Sequence, residues 1–442
     1  SDGTWASLMA SGDVIVIGSG VIGCSIAFEL AKAGWSPVVV DKLPASGYGS
    51  TSASSAIVRS FYSTEAGSAM AWESTQVWNR WADYVEHADE RGAAVYRQTG
   101  CLLINGKDDA FVSLIRKVMT DIGVPFESWD VDALARKLPW LDLHLYGPPR
   151  HPDEAGFAEA GEALVEGALY FPQAGYVNDP QLAAHNLQRA AEAHGATFRF
   201  NAQVSAIRQS NGRVDGVELA DGTSLPAPVV VNVGGPHSGG INRLAGVDKT
   251  MTVRHRPLRK EVCYLPGPSD VDLESQGLFI ADMDVGGYCR PETGNKLVIG
   301  STEPACDDLT WIDDPDDYNT AFSNQWTVQA MRMAIRIPTL GIPGQASGTV
   351  ALYDASEDWI PIYDRSDLPG YYMACGTSGN QFKNAPVAGA LMATLIGTCE
   401  NGHDHDQEPV LFDLPETGRT LDLGNFSRRR SIHRESSFSV LG

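Results

Sequence analysis

The stretch Val14–Asp41 constrains this chain more than any other part of its sequence. An apolar strand, three glycines in G-x-G-x-x-G spacing, a helical stretch and a second apolar strand ending on Asp41 follow one another there. Gly18 permits a tight turn, Gly20 lets the backbone approach a pyrophosphate, and Gly23 allows close packing of helix and strand. The free N–H groups at the helix start favour phosphate, and Asp41 suits a ribose hydroxyl. The unit predicts a dinucleotide site; a purely structural glycine turn is the alternative.

Length and charge limit the class of protein. A chain of 442 residues exceeds one ordinary core, which predicts two domains. The formal net charge of −22 disfavours nucleic acid and anionic membranes as partners. No apolar run reaches the roughly 20 residues that span a bilayer. Residues 1–12 are polar and small, so we expect no secretory signal there and a cytoplasmic protein.

The seven cysteines are scattered, odd in number and without C-x-x-C spacing. This pattern is typical of reduced, mostly buried thiols in a cytosolic protein. We therefore expect no disulfide framework and no metal site.

Two later blocks repeat the pattern of a strand that ends in glycines before a helix. The strand Val229–Val233 leads into Gly234 and Gly235, and the stretch 370–389 is a strand, a glycine-rich turn and a helix of small residues. A cofactor domain that returns at both ends and in the middle of the chain indicates two interleaved domains, as in large flavoproteins. We predict an α/β (α+β) fold in which a Rossmann-like FAD-binding domain is interleaved with a mixed-sheet substrate domain. The predicted ranges are 12–96, 172–238 and 346–412 for the first, 97–171 and 239–345 for the second, and 413–442 for a polar C-terminal tail at the surface.

The three blocks together carry a family resemblance. In order and spacing, 14–41 with 49–52, then 229–238, then 376–386 resemble the D-amino-acid oxidase superfamily of FAD enzymes. The nearest branch is the sarcosine oxidase, dimethylglycine dehydrogenase and glycine oxidase group, and the resemblance covers about residues 12–410. It implies oxidation of the C–N bond of an amino acid or N-alkyl amino acid, sarcosine-like or dimethylglycine-like. Hydride, or its equivalent, would pass to flavin N5, and water would hydrolyse the imine.

The resemblance also implies which residues form the site. Arg59 and Lys383 would grip the substrate carboxylate, Tyr353 would lie near the substrate, and Arg290 would line the site. Without the resemblance, the sequence favours simpler interpretations: a surface ion pair for Arg59 and a solvated helix residue for Lys383. The implied FAD contacts are Gly18, Gly20, Val21, Ile22, Gly23, Asp41, Lys42, Ser50, Thr51, Ser52, Ser55, Ala56, Ile57, Val204, Gly234, Gly235, Gly376, Ser378, Gly379, Asn380, Gln381, Phe382 and Lys383.

Three positions depart from the relatives. Ala351 stands where monomeric sarcosine oxidases carry a flavin-linking Cys, and the loop 51–53 lacks the linking His of dimethylglycine dehydrogenases. We therefore expect noncovalent FAD. Val298 stands where monomeric sarcosine oxidases carry an oxygen-activating Lys. The electron acceptor is accordingly left open between O2 and a carrier.

Two other functions stay open at this point. One is a D-amino-acid or hydroxyproline-type dehydrogenase that passes electrons to a carrier. The other is an FAD-binding subunit of a hetero-oligomeric amine oxidase. The paired cations Arg59 and Lys383 favour a chain that binds substrate itself, and the sequence predicts no oligomeric state.

Overall fold

The computed structural model describes residues 12–442, so the prediction made for residues 1–12 falls outside this range except for Gly12. Within it the chain forms 23 strands and ten α-helices. The strands are β1 (Val14–Ile17), β2 (Pro37–Val40), β3 (Ile57–Val58), β4 (Tyr96–Arg97), β5 (Cys101–Asn105), β6 (Glu127–Trp129), β7 (Gly167–Phe171), β8 (Gly175–Val177), β9 (Thr197–Arg199), β10 (Val204–Ser210), β11 (Arg213–Leu219), β12 (Ser224–Pro226), β13 (Val229–Asn232), β14 (His255–Pro266), β15 (Phe279–Asp282), β16 (Gly287–Glu292), β17 (Lys296–Ser301), β18 (Thr310–Trp311), β19 (Gly348–Ser356), β20 (Ile362–Arg365), β21 (Tyr371–Cys375), β22 (Leu411–Leu414) and β23 (Arg419–Asp422). The helices are α1 (Val21–Lys32), α2 (Glu65–Asn79), α3 (Trp81–Val85), α4 (Ala110–Ile122), α5 (Val131–Lys137), α6 (Pro180–Ala193), α7 (Ser238–Ala245), α8 (Leu273–Gln276), α9 (Asn324–Arg336) and α10 (Ala385–Glu400).

The first sheet gathers strands from three distant parts of the chain. Its order is β20-β21-β13-β1-β2-β9, and all neighbours run parallel except β20 and β21. Val14 pairs with Val229 on one side and Pro37 on the other. The predicted β-α-β unit and the return of the chain to it from the middle and the C-terminal part are therefore confirmed.

Alternating side chains give this sheet two buried faces. Val14 and Val16 pack with α1, α6 and α10, whereas Ile15 and Ile17 pack towards the small sheet β10-β11-β12. Helices α1 and α10 approach closely at Gly389, where a Cβ would lie only 2.1 Å from a side-chain atom of α1. The missing side chain of this glycine allows the approach. A strand buried on both faces explains why its sequence is a continuous apolar run.

The second sheet is larger and mixed. Its order is β18-β14-β17-β16-β15-β5-β7-β6, with β19 pairing with β14. The pair β15–β5 is parallel and the other neighbours are antiparallel. Helix α9 packs on one face and α4 on the other. This agrees with the predicted mixed-sheet second domain, while the residue ranges given for the domains stay predictions.

The stretch after residue 412 is not the surface tail expected from its polar composition. It forms the hairpin β22–β23 and then runs back along the protein. The Arg428 side chain is fully buried, and its guanidinium contacts Asp364, Asp367 and Asp406. The surface-tail prediction is wrong because acidic residues far away in the sequence neutralise the Arg428 side chain inside the protein.

The structure bears on the predictions made for the cysteines and for membrane-spanning segments. All seven cysteines are free and five of them are buried, which agrees with the prediction of mostly buried thiols. Among residues 12–442, no helix combines the length and the apolar character needed to cross a bilayer.

Candidate active site

One cavity of about 820 Å³ is lined by residues from both large sheets. The loop 49–57, β19 and the turn before α10 form much of its wall. Such a concave site with a few polar groups is the usual form of a cofactor and substrate site. The predicted site residues that line it are Gly18, Gly20, Val21, Ile22, Gly23, Asp41, Lys42, Ser50, Thr51, Ser52, Ser55, Ala56, Ile57, Arg59, Val204, Gly234, Gly235, Tyr353, Gly379, Gln381, Phe382 and Lys383.

The glycine turn before α1 forms a cradle for an anion. Gly18 has a φ of +106°, and a Cβ there would lie 2.2 Å from the Val233 carbonyl oxygen. A Cβ on Gly20 would meet only the Thr51 hydroxyl oxygen, at 3.1 Å. Helix α1 has no side-chain cap, although the Val21 N–H donates to the same Thr51 oxygen at 3.0 Å. A pyrophosphate fits this turn, because its backbone is accessible where Gly20 lacks a side chain.

Asp41 lines the cavity and also holds the glycine turn in place. One of its carboxylate oxygens accepts hydrogen bonds from the Ser19 N–H and hydroxyl, both at 2.8 Å. The other accepts from the Leu43 N–H at 2.9 Å. The acid at the end of β2 therefore fixes the glycine turn as well as offering oxygens to a ribose.

A loop between β18 and α9 reaches across to the nucleotide end of the cavity. Asp316 contacts the Lys42 ammonium at 2.5 Å, and its carboxylate is 2.9 Å from Nε2 of His237. The hydrogen bond from Lys42 is the main cause that holds the pKa of Asp316 below its usual value. This contact ties the two large sheets together at the end that a nucleotide would occupy.

Arg290 does not line the cavity. Its Nε donates to the Ser55 carbonyl at 2.6 Å, and another nitrogen lies 3.0 Å from Glu292. The guanidinium therefore supports the loop 49–57 from behind, and the structure does not bring it together with Arg59 and Lys383.

The turn before α10 divides the remaining predicted residues into two groups. Gly376, Ser378 and Asn380 lie behind the cavity wall, where the Gly376 N–H donates to the Asp354 carboxylate at 2.7 Å. Gly379 has a φ of +69°, and a Cβ there would lie 2.4 Å from the Tyr353 ring. The buried residues shape the turn, and the missing side chain at 379 makes room for the tyrosine.

Two buried cations dominate the other end of the cavity. Arg59 is 3% exposed and Lys383 is 4% exposed. The Lys383 ammonium donates to the Tyr62 hydroxyl at 3.0 Å and the Asn380 carbonyl at 2.8 Å. The Arg59 guanidinium lies over the Tyr62 ring, 4.5 Å from its centroid, and donates to the carbonyls of Phe61 and Val440.

Neither cation forms a salt bridge with a carboxylate of residues 12–442. Burial lowers the pKa of Arg59. Burial and then the charge of Arg59 lower the pKa of Lys383 well below its ordinary value. Buried charges are normally paired, so this end of the cavity is suited to an anion.

Two residues at the site, Tyr62 and Lys260, were not predicted from the sequence. Tyr62 joins the two cations, and its only signal was its place three residues after Arg59. Lys260 lines the cavity because it pairs with Ala351 across β14 and β19, and its Nζ lies 2.6 Å from Glu303. This strand pairing has no local sequence signal, so Lys260 could not have been found from the sequence.

Comparison with known proteins gives a consistent family. The family model described as FAD dependent oxidoreductase (DAO) matches residues 13–395. Glycine oxidase from Geobacillus kaustophilus (strain HTA426) is 24% identical over 419 residues, covering 93% of this chain and 97% of that protein. Sarcosine oxidase subunit beta from Rhizobium meliloti (strain 1021) is 26% identical, covering 87% and 84%. The crystal structure of L-proline dehydrogenase from P. horikoshii shares the fold, with a TM-score of 0.74 at 20% identity over 95% of this chain and 97% of that one.

Proposed function

The chain belongs to the FAD dependent oxidoreductase family, and on this basis we propose that it oxidises the C–N bond of an amino acid or N-alkyl amino acid. The observation that carries the proposal is the pair of buried cations, Arg59 and Lys383, without carboxylate partners in the described chain. A substrate carboxylate supplies the missing charge, and a guanidinium can bind it through two parallel N–H groups. The glycine oxidase and sarcosine oxidase relatives support this substrate class.

The cofactor is FAD, and the cavity offers groups suited to its pyrophosphate and its ribose. The Gly20 turn and Thr51 would hold the pyrophosphate, and Asp41 the ribose. Bound FAD supplies the two-electron acceptor, and water hydrolyses the imine product.

The chain's own residues orient the substrate. Arg59 and Lys383 fix its carboxylate, which positions the carbon to be oxidised. Burial raises the pKa of Tyr288 to about 12 and holds the pKa of Tyr353 well above its ordinary value, so both phenols stay neutral near pH 7. They can therefore donate hydrogen bonds but do not act as bases, and we expect the substrate amine to react in its neutral form. Arg290 acts as a positioning residue through the Ser55 carbonyl.

We predict that FAD is bound without a covalent link. Ala351 lines the cavity where the linking Cys of relatives would stand, and the loop 51–53 offers no His. Acid precipitation of the yellow protein should release the colour into the supernatant. A pellet that stays yellow would show a tether at another residue.

Ligand binding should also depend on pH through Lys383. Because the pKa of Lys383 is lowered, its positive charge is present at low pH and is lost as pH rises through a value well below 10.5. The affinity for a nonreacting carboxylate ligand, read from its perturbation of flavin absorbance, should therefore weaken as pH rises. Lys383→Met should remove this part of the pH profile; an unchanged profile would assign the titration to another group.

The proposal is tested by anaerobic flavin reduction with a panel of sarcosine, dimethylglycine, glycine, proline and D-amino acids. At least one should bleach the flavin, and readmitted air or an artificial carrier then identifies the class of electron acceptor. If none bleaches it while dithionite does, the proposed substrate class is wrong.

A further inference from the structure

The segment 436–442 extends to the cation end of the cavity. The Val440 carbonyl accepts a hydrogen bond from Arg59 at 2.9 Å, and the Val440 N–H donates to the Glu303 carboxylate at 2.9 Å. Val440 and Leu441 both line the cavity. A remote part of the chain therefore contacts the guanidinium that would bind the substrate.

Apolar packing holds the same segment in place. Leu441 is 1% exposed and belongs to the cluster that contains Phe61, Phe279 and Tyr288. Two members of this cluster, Phe279 and Tyr288, line the cavity themselves. Leu441 thus continues an apolar wall that begins on the second sheet.

The start of the segment has its own anchor. The Ser436 hydroxyl donates to the Asp358 carbonyl at 2.5 Å, and the Asp358 carboxylate lies 2.8 Å from the Arg430 guanidinium. These contacts precede residue 437 in the chain. Removal of residues 437–442 therefore leaves the anchor intact.

From these contacts we propose that Val440 and Leu441, in the segment 437–442, form a wall of the substrate pocket that determines which substituents the substrate can carry. The inference rests on the proposed function, with Arg59 as a carboxylate ligand. A guanidinium has five N–H donors, and Arg59 uses one for Val440 and one for Phe61, so it can bind a carboxylate while Val440 stays in place.

The position of this wall determines which side chains an amino-acid substrate can carry. A carboxylate on Arg59 lies beside the Val440 carbonyl, because that oxygen is itself 2.9 Å from the guanidinium. A substituent on the substrate's α-carbon that points to this side meets Val440 and Leu441. We therefore expect small apolar substituents to fit better than large ones.

The test compares three variants of the FAD-loaded protein: a chain ending at Ser436, Leu441→Ala and Leu441→Trp. The readouts are kcat/KM for amino acids with small and large apolar side chains, and the affinity for nonreacting carboxylates of increasing size. The truncation and Leu441→Ala should raise the large-to-small ratio roughly 10-fold or more, and Leu441→Trp should lower it. Phe438→Ala is the matched control, since this side chain is 42% exposed and does not line the cavity.

The outcomes separate the two proposals. Unchanged ratios in Leu441→Ala and Leu441→Trp, with normal FAD content, overturn the wall, and this pair decides the matter if the truncated chain does not fold. If no amino acid reduces the wild-type protein, the proposed function fails and the wall fails with it.

Discussion

We expect Arg59→Ala to lower kcat/KM for the best amino acid roughly 30-fold or more. Removal of one partner from a buried charge pair costs about 2–5 kcal/mol, because the other charge stays buried and unpaired. About 1.4 kcal/mol corresponds to a factor of ten, so even the lower limit gives this loss. Steady-state kinetics with FAD-replete protein is the measurement, and normal FAD content is the control for folding.

Lys383→Met should produce a loss of similar size. Since both cations act on one carboxylate, the double variant should lose less than the sum of the two single losses in free energy. Amines without a carboxylate should be poor substrates and insensitive to either change. If Arg59→Ala and Lys383→Met both keep wild-type kcat/KM, the carboxylate site is elsewhere and a simple amine becomes the better candidate.

The second large effect is a loss of bound FAD. We expect the Gly20→Val variant to be a colourless protein. A Cβ at this position meets only the Thr51 hydroxyl oxygen, at 3.1 Å, and the backbone lies at φ −66°, which any residue can adopt, so a small shift of Thr51 accommodates it. The valine would instead occupy the space that the pyrophosphate needs. We expect a folded apoprotein of lower melting temperature, since the stabilisation from bound FAD is lost.

A matched control for this variant is Gly397→Val. A Cβ at Gly397, in α10, would have no atom of another element within 4 Å. This variant should keep its FAD, measured as the ratio of flavin to protein absorbance. Normal FAD content in Gly20→Val would show that the glycine motif does not form the pyrophosphate site.

Local patterns were the part of the fold that could be predicted from the sequence. The glycine spacing predicted the β1-α1-β2 unit, because that turn needs residues without side chains. The dipeptide Asn211-Gly212 is typical of a two-residue hairpin turn, and both residues have positive φ between β10 and β11. Such features depend on neighbouring residues, so a single sequence is sufficient to identify them.

Features that depend on long-range pairing could not be predicted. Lys260 reaches the cavity only because β14 pairs with β19, and Arg290 turns away because its donors bind Ser55 and Glu292. The polar composition of the stretch after residue 412 led to the prediction of a surface tail. The acidic residues that pair with Arg428 lie 22 residues or more away in the sequence, so the local sequence did not indicate its burial. In each case a distant partner decides where the side chain lies.

The most direct test of the proposed function compares two reductants under anaerobic conditions. One is the amino acid that reduces the wild-type flavin fastest, and the other is the amine that remains when its carboxylate is removed. With Arg59 and Lys383 as a carboxylate site, the amino acid should bleach the flavin at least roughly 30-fold more efficiently at equal, low concentration. If the amine bleaches it equally well, the chain does not recognise its substrate through the carboxylate, and the proposed account is contradicted.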